Sequence, residues 1–382
     1  MLSSKALHQY KKVIKYGWRL GVIPYTWNDK KGRVEFRRSR LFRLFWSLQF
    51  GLYCLYESFL MFRWLWALAD KESSGPERAV NLQYVTWGGM FLVSQHYSTW
   101  KNYGLHHTMI NRFLDHFEWF QRKHHKVIEK NQENGKRSEC AGFMKKFFIF
   151  GTANTILNFI SIFRRPHSPH LVTSVLPRNL KAPAIFPFAV YHAYIGLMQW
   201  FTCYFYNFTI IVYLFGMQQI LQCLRHDLGG RRTFEHMASH SFVLRREFRS
   251  LQLLQGHFNQ LFKVYLAQLQ LLLIITITLG YFAGFSLQGS RGFQTSFLAT
   301  MFLLIFVTMW NYLAEVHVRS NSVLQGWQVT RGLPEMSQFL NSCRPISTKI
   351  GDFLHADKAL VLGSLAVIID LTTTMLLNVQ YS

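Results

Sequence analysis

Seven long apolar stretches constrain the fold of this chain more than any other feature of its sequence. A helix that crosses a bilayer needs about 20 mostly apolar residues, and seven segments approach or exceed that length. They cover residues 41–68, 80–100, 147–163, 185–217, 261–285, 296–312 and 359–379. The sequence therefore predicts an all-α membrane protein with seven transmembrane helices.

The second stretch is the least apolar of the seven. Gln83, Thr86, Gln95 and His96 interrupt it, and polar side chains are costly in contact with lipid. We therefore expect this helix to face protein or a cavity.

Basic residues are concentrated in alternate connections between these stretches. The chain has 42 Lys and Arg against 19 Asp and Glu, a formal net charge of +23. The segments before the first stretch, after the second and after the fourth are the most basic, and short basic connections remain in the cytoplasm. An odd number of spans then predicts a cytoplasmic N-terminus and an extracellular C-terminus. Every basic run adjoins an apolar stretch, so the charge does not indicate nucleic-acid binding.

The connections on the basic side show helical periodicity. Apolar residues recur every three or four positions and continue into the fifth stretch: Leu244, Phe248, Leu251, Leu254, Phe258 and Leu261. We expect a basic cytoplasmic N-terminal segment (1–40) and one seven-helix domain (41–382). Its helices would extend into the cytoplasm at about 101–146, 216–260 and 317–355. The alternative is that these amphipathic segments lie on the membrane surface.

The sequence contains no motif of an enzyme or of a bound cofactor. A Walker loop, a dinucleotide glycine pattern, HExxH and GxSxG are all absent. The pair His236 and His240 has i, i+4 spacing but no third ligand. This pair, His106–His107 and His124–His125 are interpreted as solvated cytoplasmic side chains. We therefore expect no catalytic residue, no metal and no cofactor.

A polar stripe runs along the seventh stretch. Helical spacing places Asp370, Thr373, Leu377 and Gln380 on one face, while Ile368, Leu371, Met375 and Leu376 point elsewhere. A polar face within a span implies adjacent water, and an ionisable group there marks a pathway or a paired partner. An ion pair between Asp370 and a neighbouring helix is the structural alternative.

The end of this stretch resembles the signature of insect gustatory receptors, which is Thr-Tyr, five apolar residues and Gln-Phe. Thr373 and Gln380 match at the same separation, whereas Thr374 stands in place of the Tyr and Tyr381 in place of the Phe. Residues 20–25, the basic run that follows them and the order of the spans are also similar to that family. The resemblance thus covers essentially the whole chain.

This resemblance implies one subunit of a homo- or heterotetrameric, ligand-gated cation channel that responds to a small-molecule tastant, such as a sugar or a bitter compound. Its location would be the plasma membrane of gustatory neuron dendrites, surrounded by membrane lipid. The seventh helix of each subunit would line the pore, with Gln380 and Tyr381 at the extracellular gate and Thr373 further in. Asp370 matches no position of the family signature, and its expected role in attracting cations rests on its charge.

In that fold the ligand pocket would lie among the outer halves of the second to sixth spans. Aromatic walls with few polar groups suit a small organic molecule, although helix packing alone also accounts for each residue. The expected pocket residues are Tyr84, Trp87, Phe91, Asn158, Tyr191, His192, Tyr194, Thr278, Tyr281 and Gln294.

Two other classes of multi-span protein compete with a channel. A G-protein-coupled receptor would carry an acidic-Arg-Tyr triplet after its third span, where this chain has Arg164, Arg165 and Pro166, and Asn-Pro-x-x-Tyr in its seventh. Its termini would also be inverted. A small-molecule transporter often shows repeated halves and spans broken by Gly or Pro, and neither is clear in this sequence.

Overall fold

The structure of the protein is a computed structural model. It describes residues 4–36, 39–97, 104–131, 135–164, 166, 168, 171–225, 241–329 and 334–380. These residues contain ten α-helices and two short β-hairpins. The helices are α1 (Ser4–Arg19), α2 (Arg40–Ala69), α3 (Gly75–His96), α4 (Leu105–Asn131), α5 (Gly135–Arg164), α6 (Arg178–Leu224), α7 (Ser241–Ser286), α8 (Gly289–Val329), α9 (Pro334–Ser342) and α10 (Lys358–Gln380). The strands are β1 (Tyr25–Asn28), β2 (Arg33–Phe36), β3 (Lys349–Ile350) and β4 (Leu354–His355), paired antiparallel as β1–β2 and β3–β4.

The seven predicted spans correspond in order to α2, α3, α5, α6, α7, α8 and α10. Within the described residues, four helical segments are long and apolar enough to cross a membrane by length and composition alone: Ile185–Leu224, Phe242–Ser286, Arg291–Gln328 and Lys358–Asn378. No segment of α2, α3 or α5 meets that measure within the described residues; Glu57 interrupts the apolar sequence of α2 and Gln83 that of α3.

Helix α3 begins earlier than the apolar pattern predicts. A capping box fixes this start, because Ser74 Oγ accepts from the Glu77 backbone N–H at 3.4 Å and Glu77 Oε2 accepts from the Ser74 N–H at 3.3 Å. These reciprocal bonds satisfy two backbone donors that have no partner inside a helix. The expected end of the span, residues 98–100, lies outside the described residues.

Helices α6, α7 and α8 are much longer than a bilayer requires. They contain 47, 46 and 41 residues, and at 1.5 Å per residue each is about 60–70 Å long, against a hydrocarbon core of about 30 Å. The N-terminal end of α7 packs against the C-terminal ends of α6 and α8. Phe248 contacts Trp327 with ring centroids 5.6 Å apart, and Trp327 Nε1 donates to the Leu224 carbonyl at 3.0 Å.

The N-terminal segment is folded onto the helices rather than being only a basic tail. In β2, the Val34 backbone N–H donates to Asn111 Oδ1 at 3.0 Å, and Asn111 Nδ2 donates to the Val34 carbonyl at 2.8 Å. Arg33 pairs with both Asp115 and Glu118 of α4, and hydrogen bonds to these carboxylates raise the pKa of Arg33. The β1–β2 hairpin is therefore attached to α4.

The β3–β4 hairpin attaches the start of α10 to α7. The Gly351 backbone N–H donates to the Lys263 carbonyl at 2.7 Å, and Lys263 Nζ pairs with Asp352. Gly351 has φ +65°, a left-handed conformation that glycine adopts without steric cost. From this anchor α10 runs alongside α7.

Candidate pore face and ligand pocket

One face of α10 is packed against its own subunit. Val361, Ser364, Ile368 and Thr372 are buried, and Gln270 Nε2 of α7 donates to Ser364 Oγ at 3.0 Å. Near the end of α10, Met375 and Leu376 are half-buried against the cluster that contains Ala79, Leu279, Phe282 and Ala283. These contacts fix the rotation of α10 about its axis.

The opposite face of α10 is exposed in the single subunit. Asp370, Thr373 and Leu377 all lie on it, and with 3.6 residues per turn they point away from the packed face. Leu371 is also exposed and lies on its flank. Asp370 has no hydrogen bond or ion pair within the described residues, so this part of the chain gives no support to an ion-paired role. The side chain of Gln380 and the whole of Tyr381 lie outside the described residues.

Two of the expected pocket residues belong to an aromatic cluster between α3, α6 and α8. The rings of Trp87 and Phe91 lie 6.3 and 5.5 Å from that of Trp200, and Trp87 lies 6.0 Å from Phe302. Trp87 is buried, and its Nε1 has no hydrogen-bond acceptor among the described residues. Sequence reasoning did not select Trp200 or Phe302, because nothing in a single sequence shows that these distant aromatic residues meet.

Four further pocket residues lie toward α2. The rings of Tyr84 and Trp87 are stacked with their centroids 6.3 Å apart, so Tyr84 connects this group with the aromatic cluster. His192 lies edge-on to Tyr56 at 5.3 Å and next to Tyr191 at 5.6 Å, and the Val172 N–H donates to its Nε2 at 3.4 Å. Tyr194 accepts a hydrogen bond from Gln49.

No described ring contact or hydrogen bond joins the remaining four pocket residues to these groups. Gln294 is exposed, and Tyr281 forms an exposed hydrogen bond with Thr300 at 3.1 Å. Thr278 is buried, and its hydroxyl has no partner among the described residues. The side chain of Asn158 lies outside the described residues.

One histidine is placed differently from the expectation of solvated cytoplasmic side chains. His106 is fully buried, with its ring 4.3 Å from Tyr206 and 4.8 Å from Phe262. Burial, with a smaller contribution from His107, lowers the pKa of His106 to about 3, so it is a neutral packing residue near neutral pH. His236 and His240 lie outside the described residues, within which no group of three or more His, Cys, Asp or Glu could hold a metal.

Comparison with known proteins identifies the fold. No family model and no curated protein matches the sequence. The structure of the insect olfactory receptor OR5 from Machilis hrabei in complex with eugenol matches with a TM-score of 0.68 and 12% sequence identity, over 96% of this chain and 99% of that one. A second structure of the same receptor matches with the same TM-score and identity, over 98% and 100% of the two chains. The chain is therefore a multi-pass membrane protein with the seven-helix fold of an insect olfactory receptor.

Proposed function

We propose that this protein is a chemoreceptor subunit that forms a ligand-gated cation channel, opened by a small organic tastant. The observation that carries the proposal is that Asp370 and Thr373 lie on the exposed face of α10, opposite a face that is packed against α7. An aspartate on a lipid-facing surface would carry a large free-energy cost. Water in a central path between equivalent helices removes that cost.

The arrangement of a pore follows from this face. If copies of the subunit surround an axis with the exposed faces of α10 inward, Asp370 and Thr373 of each copy form rings along the path. Leu377 comes next toward the extracellular end, where Gln380 and Tyr381 form the gate. A ring of carboxylates attracts cations and repels anions, so the current would be carried by cations.

The aromatic groups around Trp87 and Tyr56 supply the ligand pocket in this proposal. They lie among helices that cross the membrane, and rings with few polar atoms suit a small organic ligand. The eugenol complex of the olfactory receptor supports a ligand of this size, because eugenol is a small aromatic molecule.

The matches of Thr373 and Gln380 to the gustatory signature support taste, rather than smell, as the sense served. The protein would then act in the dendritic membrane of gustatory neurons, as a homo- or heterotetramer with related subunits. Recording current in response to sugars and bitter compounds tests the class of tastant.

Cysteine accessibility tests the pore. Thr373→Cys and Gln380→Cys should react with a water-soluble thiol reagent from the extracellular side, and the reaction should change the ligand-evoked current. Leu376→Cys is the matched control, because Leu376 is half-buried against the subunit on the same helix. If the reagent leaves the current of both test variants unchanged, α10 does not line the path.

A further inference from the structure

Glu57 of α2 is a buried acid that forms no ion pair with the described residues. Its residue is 6% exposed, and its Oε2 atom has no hydrogen-bond partner among the described residues. No ion pair among the described residues includes Glu57, although the chain has 42 Lys and Arg against 19 Asp and Glu. A buried charge is costly unless it is paired, so ionisation of this group is favourable only beside a partner of opposite charge.

The position of the carboxylate is fixed by a close approach to α3. A Cβ atom added to Gly88 would lie 1.9 Å from Glu57 Oε2, so the carboxylate occupies space that only glycine leaves open. Tyr53 cannot supply the missing proton, because its hydroxyl already donates to the Gly88 carbonyl at 2.7 Å and accepts from Gln199 Nε2 at 2.8 Å. The Tyr53 hydroxyl is therefore already used by backbone and amide groups.

Aromatic side chains lie on both helices that hold this carboxyl group. Glu57 follows Tyr56 on α2, and the Tyr56 ring lies 5.3 Å from His192, which in turn lies 5.6 Å from Tyr191. On α3, Gly88, which the carboxyl group approaches, is about one helical turn from Tyr84. Three of these residues, Tyr84, Tyr191 and His192, belong to the proposed ligand pocket. Glu57 therefore lies at the α2 side of that pocket.

A carboxylate among aromatic rings is the chemistry that recognises an organic cation. The rings attract a cation through their faces, and an ammonium group supplies charge-assisted hydrogen bonds to a carboxylate. A neutral sugar or alcohol supplies neither full charge nor a cation–π contact.

We propose that the ligand of this receptor is a protonated amine with an apolar or aromatic body, whose ammonium group pairs with Glu57. The inference rests on the proposed ligand pocket and names the class of ligand that it takes. In the bound state the ammonium lies between the Glu57 carboxylate and the Tyr56 ring, and the body of the ligand extends toward Tyr84 and Tyr191.

The test measures binding and current separately in the full-length protein. Binding of 2-phenylethylamine, tyramine and 2-phenylethyltrimethylammonium is titrated in lipid nanodiscs, with 2-phenylethanol as the neutral match. The three cations should bind more tightly than the alcohol. Glu57→Gln should weaken binding of 2-phenylethylamine and tyramine by about 10- to 100-fold, the range expected for one charge-assisted pair. The quaternary cation has no N–H to donate and should lose less. The substitution should leave binding of the alcohol unchanged.

Control variants separate charge from folding. Glu72→Gln removes one exposed acid in the loop after α2 and should leave all affinities unchanged. Glu57→Asp keeps the charge and should preserve the preference for cations, which gives a second readout if the Gln variant fails to fold. The proposal is overturned if none of the three cations binds the wild-type protein, or if Glu57→Gln binds them as tightly as wild type does.

Current recordings distinguish this proposal from the channel proposal. Glu57-dependent binding of cations without any evoked current would support the ligand class and contradict the channel. Current evoked by the neutral alcohol, with no response to the cations, would support the channel and contradict the ligand class.

Discussion

Helices α6 and α10 are both strongly apolar, but their own subunit covers them very differently. Most residues of α6 between Met198 and Leu224 are buried, whereas α10 buries a single face. Helix α6 is covered by α1, α5 and α8 and by the N-terminal hairpin, where Tyr25 stacks on Phe205 at 4.5 Å. The contrast indicates that contacts within the chain cover this part of α6 on all sides, while they leave one face of α10 exposed; in the proposed channel that face points toward the other subunits.

The largest expected effect is a difference in stability between matched leucines of the two helices. Leu214 of α6 is fully buried and Leu377 of α10 is 48% exposed. Leu214→Ala should lower the free energy of unfolding by about 2–5 kcal/mol because it leaves a cavity. Leu377→Ala should change it by no more than about 0.5 kcal/mol. Thermal unfolding of the purified subunit in detergent measures both, and equal losses would remove the distinction between the helices.

A smaller effect is expected on conductance when the exposed face loses its charge. Asp370→Asn should lower the single-channel cation conductance several-fold. One unit charge a few ångströms from an ion in a water-like medium contributes about 1 kcal/mol. Surface expression should be retained, because Asp370 has no partner within the described part of the subunit. Loss of surface expression in this variant, with Glu72→Gln expressed normally, would instead assign Asp370 a structural role.

The smallest expected effect concerns the packing of the N-terminal segment on α6. Hydrogen bonds from Lys11 and Lys15 lower the pKa of Asp29, so Asp29 stabilises the folded segment when it is ionised. That contribution is present above the unfolded pKa of about 4. It is lost as the pH falls through the lower pKa of the folded state.

Hydrogen exchange of residues 25–36, corrected for intrinsic rates, should therefore show a modest loss of protection in acid. Asp29→Asn should show the weaker protection already at pH 7 and little further change on acidification. Protection that falls equally in both proteins would mean that other groups hold the hairpin.

The helices could be predicted from sequence because each span is a local property of about 20 residues. The start of α3 could also have been found, since Ser74 and Glu77 have the spacing of a capping box. The β1–β2 hairpin was not predicted, because its stability depends on contacts with α4 through Arg33 and Asn111 that are distant in sequence.

The candidate site shows the same limit. The stripe of Asp370, Thr373 and Leu377 could be read from helical spacing, and the structure leaves these residues exposed. The contacts of Trp87 with Trp200 and Phe302 could not be predicted from the sequence, since they depend on how three helices pack. Glu57 carried a usable signal as the only acidic residue in the first apolar stretch, but its neighbours became known only from the structure. The roles of pore and pocket residues remain predictions.

The contacts of the β3–β4 hairpin determine how α10 can move. Besides the Gly351 and Lys263 bonds, the Lys349 N–H donates to Asn259 Oδ1 at 3.0 Å, so the beginning of α10 has a fixed pivot on α7. A motion that preserves these contacts is a tilt about that pivot. Over 23 residues the helix is a lever of about 34 Å, and a tilt of about 5° displaces its far end by about 3 Å. In the proposed channel, such a tilt would change the width of the path at the end of α10 where Leu377 lies.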